Sequence, residues 1–81
     1  MTYSQAIIKR IDELCTQKKL TINGLASRAG LKQSTVDAII KGTNKRPRID
    51  TLHKIATAFN MTVSEFLDFP EMNNTIFDED E

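Results

Sequence analysis

Leu20-Thr21-Ile22-Asn23-Gly24-Leu25-Ala26-Ser27-Arg28-Ala29-Gly30-Leu31-Lys32-Gln33-Ser34-Thr35-Val36-Asp37-Ala38-Ile39-Ile40-Lys41-Gly42 is the stretch that decides the fold. It holds two apolar sets at helical spacing: Leu25, Ala26 and Ala29 before Gly30, then Val36, Ile39 and Ile40 before Gly42. Thr21 is suited to cap the first set, because its hydroxyl can accept a backbone N–H that has no partner at a helix start. Gly30 can end that helix by taking the left-handed conformation that a Cβ disfavours. The second set predicts a helix from Gln33 to Lys41, closed by Gly42, with Gln33, Ser34, Asp37 and Lys41 left on its outer side. Two short helices about a glycine-containing turn, with Leu25, Ala26, Gly30, Leu31, Val36 and Ile39 at packing positions, read as a helix-turn-helix arrangement.

Working outward, Ile7, Ile8, Ile11, Leu14 and Cys15 recur three and four apart with Lys9, Arg10, Asp12 and Glu13 between them, which predicts an amphipathic first helix over Ser4 to Gln17. Downstream, Thr43 to Arg48 contains no apolar residue except Pro47, and the proline disfavours helix at Arg46, so this is a basic loop. Ile49, Leu52, Ile55, Ala56 and Phe59 then repeat at helical spacing, with Asn60 as a stop. Thr62 and Glu65, three apart, form a capping-box pattern that opens a short helix with Val63, Phe66 and Leu67 turned inward. The pattern is all-α throughout, with a helical body over residues 1–68 and an acidic C-terminal extension over 69–81.

The chain of 81 residues has a formal net charge of zero, and that total conceals a division. Residues 1–64 carry all 11 basic side chains against four acidic ones, a net of +7, whereas residues 65–81 carry seven carboxylates and no Lys or Arg. A basic body admits a polyanion partner. In the extension, Phe69, Met72, Ile76 and Phe77 lie among acids and asparagines without a clean period. They can cover the body or form a dimer contact together with Phe66, and the acidic end can compete for the basic surface; the sequence leaves all three open.

One cysteine, Cys15, excludes an internal disulfide and a Cys-based zinc cluster, and the lone His53 cannot supply the missing ligands. No metal or other cofactor is expected. His53 has no recognisable triad around it and the three glycines form no phosphate cradle, so an enzyme is not expected. The apolar runs are too short for a spanning helix or a secretory signal, which points to a cytoplasmic protein that does not enter a membrane.

In a helix-turn-helix the second helix can enter the major groove and present side chains to base edges. At Leu20 to Ala26, Gly30 to Val36, Gly42, Pro47 and Asp50-Thr51-Leu52-His53-Lys54-Ile55-Ala56, the chain resembles the Cro/C1-type (XRE-like) helix-turn-helix family of phage and bacterial repressors, over roughly residues 4–68. The resemblance implies a compact five-helix, lambda-repressor-like DNA-binding domain and a double-stranded DNA partner. It places Lys32, Gln33, Ser34 and Thr35 at the groove-facing start of the third helix, followed by Asp37 and Ala38, as candidates for base contact. Gln33 leads them, since a glutamine amide can pair bidentately with adenine. Lys45, Arg46 and Arg48 are implied phosphate contacts, with Lys41 and Asn23 as further candidates. Such contacts position the protein and make binding salt-dependent without specifying sequence.

The chain departs from the family pattern in several places. Lys32 stands where relatives supply a small hydroxylated cap. Ile22 stands where they carry a phosphate-gripping glutamine. Cys15 and Ile40 stand where many carry a buried arginine–glutamate pair; losing both partners together avoids the cost of a buried charge left alone. The chain stops near Glu81, where no sensory or protease-like second domain is expected. The leading expectation is a homodimeric sequence-specific repressor. The alternative is a protein-interaction adaptor or antitoxin-like subunit, on the same scaffold, that docks a protein partner through the extension.

Overall fold

The computed structural model describes residues 1–75 and Phe77, and among these the chain forms six helices: α1 Tyr3–Lys18, α2 Ile22–Ala29, α3 Gln33–Ile40, α4 Ile49–Ala58, α5 Val63–Leu67 and α6 Pro70–Asn73. Local chemistry sets most of the boundaries. Thr2 opens α1 through a capping box with Gln5, and Lys19 closes it at φ 54°. Thr21 accepts the Gly24 N–H at the start of α2, and Gly30 ends that helix at φ 68° as the composition of the turn requires. A Cβ on Gly24 would stand 3.2 Å from the Thr21 hydroxyl, so glycine leaves room for the cap itself. The Thr62–Glu65 capping box opens α5, and these hydrogen bonds from Thr62 hold the Glu65 carboxyl below its ordinary range. Asn60 takes φ 60° just beyond α4.

The helices enclose one core. Ile11, Leu25, Val36, Ile39, Ile55, Phe59 and Phe66 are its largest fully buried side chains. α2 packs against both α3 and α4, α4 against α5, and α1 against α3 and α6. Cys15 is buried in the core and Ile40 is packed against it, so both positions are apolar in this fold. Burial pushes the Cys15 thiol above its ordinary value, and the nearby Asp12 charge adds to the shift. Ile22 is also partly buried against the core.

Two expectations need correction. The fold has a sixth helix, because Phe69 is buried and starts a short turn in which Pro70 occupies a first-turn position where it needs no N–H partner. Phe66 and Phe69, expected as candidates for contact with a second copy, are both buried within the protomer. Phe66 stacks on Phe59, with ring centroids 6.3 Å apart, and Phe69 lies beneath the Arg10 guanidinium, 4.9 Å from its ring centroid. Their apolar surface is already spent on the core. Met72 is partly buried against that core, Phe77 is exposed and touches Tyr3, and Ile76 lies outside the described residues, as does the acidic end 78–81.

Arg10 fastens this region to α1. Its Nε donates to the Phe66 carbonyl and its Nη2 to the Glu65 carbonyl, both at 2.9 Å, so it occupies two acceptors at the C-terminal end of α5. Beside it, Lys9 pairs with Glu71 of α6; the hydrogen bond raises the Lys9 pKa and lowers that of Glu71. The extension's first residues are thus held by α1, across more than fifty positions of sequence.

Candidate nucleic-acid interface

α3 turns Val36 and Ile39 into the core, and this fixes what its other side presents. With 3.6 residues per turn, Gln33, Ser34, Asp37 and Lys41 fall within an arc of about 100°. Gln33, Ser34 and Lys41 are exposed, as is Lys32 just before the helix, while Thr35, Asp37 and Ala38 are half-buried. Lys32 makes no side-chain cap, so its side chain satisfies none of the first N–H groups of α3. Those groups and the helix dipole favour an anion at this end. Lysine at this position leaves the helix start without its own side-chain cap and puts a cation beside it.

The basic loop follows directly. Lys45, Arg46 and Arg48 are exposed, and the Arg48 Nε meets Asp50 Oδ1 at 3.2 Å with both side chains largely in solvent. An ion pair so exposed contributes little to the fold, so Arg48 can exchange Asp50 for another anion at small cost. The Asn44 side chain accepts the Arg46 N–H at 3.1 Å, and the Asn44 N–H donates to the Ala38 carbonyl at 2.9 Å. Asn23, in the first turn of α2, is exposed. The fold thus places the α3 candidates on one helix and the loop cations immediately after it, with Asn23 on the helix packed against α3.

Sequence reading did not single out Asn44 or Arg10. An Asn two residues before a basic residue in a turn is a recognisable Asx signal for the former, whereas nothing in local pattern distinguishes Arg10 from any other helix-surface cation. His53, Lys54, Arg28, Ala29, Asp50 and Thr57 line a shallow groove of about 300 Å³ between α2 and α4. No group of three or more His, Cys, Asp or Glu among the described residues could hold a metal ion, and no helix among them is long and apolar enough to cross a membrane.

Two short helices packed about a glycine turn, with a polar helix face left outside and a cationic loop after it, define a helix-turn-helix arrangement. Residues 10–71 match the Cro/C1-type HTH DNA-binding domain family, and the chain belongs to that family. It is similar to the prophage Lp1 protein 11, known from a crystal structure, with 41% identity over 93% of this chain and 99% of that one and a TM-score of 0.80. No curated protein matches the chain.

Proposed function

We propose that this protein is a sequence-specific transcriptional repressor that binds double-stranded DNA as a homodimer, in the cytoplasm of a bacterium carrying a phage or prophage. The first five helices serve as a lambda-repressor-like body and α3 lies in the major groove. The observation that carries the reading is the outward arc of α3, headed by the exposed Gln33 and continued by a cationic loop. Gln33 reads a base, with Lys32, Ser34, Thr35, Asp37 and Ala38 shaping the same contact. Lys41, Lys45, Arg46, Arg48 and Asn23 hold phosphates. A similar protein from a prophage supports the phage setting.

Selection of genomic fragments by the purified protein, followed by sequencing, tests the proposal. An enriched inverted repeat is the expected result, and retention without enrichment ends the sequence-specific reading. On the enriched site, Gln33→Ala should cost about tenfold and relax preference at one base position. Arg46→Ala should instead weaken all sequences alike and lower the salt slope by about one. Equal losses on every sequence for Gln33 would remove it as a reader.

A single such domain covers few base pairs, so two-fold pairing supplies useful discrimination. With Phe66 and Phe69 taken into the core, Met72 and Phe77, together with Ile76, are the remaining pairing candidates. Sedimentation should give a dimer on the operator; a monomer both free and bound would refute pairing. The adaptor or antitoxin-like reading is favoured by Ile22, which packs where relatives grip a phosphate, and by the exposed Phe77. Co-purification of a stable protein partner without DNA would support it.

A further inference from the structure

We propose that Asn44 is a positioning residue that couples the reading helix to the phosphate loop, holding Lys45 and Arg46 at a fixed offset from α3. This rests on the DNA-binding reading above. The chain leaves α3 through a closely tied end: the Lys41 N–H donates to the Asp37 carbonyl at 2.8 Å, the Gly42 N–H to that of Ile39 at 3.1 Å and the Asn44 N–H to that of Ala38 at 2.9 Å. Gly42 permits the reversal with φ 78°. Asn44 is thereby anchored to the last turns of the helix whose outer arc carries Gln33 and Asp37.

Its side chain then acts in the opposite direction along the chain. Oδ1 accepts the Arg46 N–H at 3.1 Å, closing an Asx turn around Lys45. Asn44 is half-buried while Lys45 and Arg46 are exposed, so the clamp sits beneath the two cations it carries. Pro47 follows with a fixed φ, and Arg48 is already the N-cap of α4. The loop is therefore held at its far end by α4 and at its near end by Asn44.

Phosphate contacts fix the register of a protein on DNA, and base contacts read sequence only when the register is right. With Asn44 in place, the offset between loop cations and Gln33 exists before binding. Without it, the backbone around Lys45 has to be ordered on the DNA, a cost that corresponds to about tenfold in affinity. Random DNA bears less of this cost, since any phosphate within reach of a loose loop suffices there.

The test uses the full chain, its selected duplex and a random duplex across several salt concentrations, with Asn44→Ala and Asn44→Asp. Alanine should lose about tenfold on the selected duplex and about twofold or less on the random one, with an unchanged thermal midpoint. Aspartate keeps the acceptor and adds a negative charge, so it should weaken both duplexes together and preserve their ratio. If alanine is unfolded at the assay temperature, both duplexes are compared at a lower temperature at which it folds, a reduced ratio supporting the assignment and a preserved ratio overturning it. Equal loss on both duplexes for alanine, or no loss, overturns it while leaving the DNA-binding reading intact. A wild-type chain that does not prefer its selected duplex overturns both.

Discussion

Phe66→Ala is expected to lower the stability of the protein by about 3–5 kcal/mol and the thermal midpoint by roughly 15–25 °C. The side chain is fully buried, its ring stacks near parallel to Phe59 at 6.3 Å, and both belong to the core where α4 meets α5. Truncation removes the transfer free energy of the ring and leaves a cavity, and α5, with five residues, has little helix of its own to resist collapse around it. A domain of this size has only a few kcal/mol to lose, so much of the population should unfold near body temperature. Differential scanning calorimetry at several protein concentrations measures this. A midpoint close to wild type, accompanied by loss of a dimer, would return Phe66 to an intersubunit surface and contradict its place in the core.

Arg10→Ala should cost about 2–3 kcal/mol, an unusually large effect for a side chain that is not fully buried. The guanidinium donates to the Glu65 and Phe66 carbonyls and lies over the Phe69 ring, so its removal leaves two helix-end acceptors without that donor and uncovers an aromatic face. Arg10→Lys should recover only part, because an ammonium cannot reproduce the planar fork that reaches both carbonyls while stacking on the ring. Amide exchange should speed at Phe69, Met72 and Asn73 in both variants, more in the alanine one. Unchanged protection there, with a melting midpoint within a degree of wild type, would show that α6 is held without Arg10.

The neighbouring Lys9–Glu71 pair adds a pH dependence whose sign follows from the lowered Glu71 pKa. Its contribution is complete above the ordinary value of 4.5 and is lost as acidification passes through the lower folded value. Lys9 is exposed and Glu71 only half-buried, so solvent screens the pair and the contribution is small. The Arg10 contacts use carbonyls that do not titrate, and they persist where the ion pair fails.

Features set by near neighbours along the chain are legible from residue types alone. Thr21, Gly30, Asn60 and the Thr62–Glu65 pair act within one turn of themselves, so their identities locate the ends of α2, α4 and α5. The spacing of Leu25, Ala26, Val36 and Ile39 likewise determines that two helices bury facing sides and that Gln33 remains outside. The uncapped start of α3 follows from Lys32 in the same way. The division of charge into a basic body and an acidic extension is a property of the sequence itself.

Tertiary structure decided the rest, since it depends on partners far along the chain. Arg10 looks like any exposed cation of an amphipathic helix until α5 brings the Glu65 and Phe66 carbonyls to it from 55 and 56 residues away. Phe66 and Phe69 carry the composition of an interface and of a core equally well; whether their surface faces a second copy or the first depends on where α1 and α4 leave space, and here that space lies inside the protomer. Without a long apolar period, α6 could not be read locally: its four residues hold together through Phe69 in the core, Glu71 on Lys9 and Met72 against the packed helices, none of which exists until the chain has closed on itself.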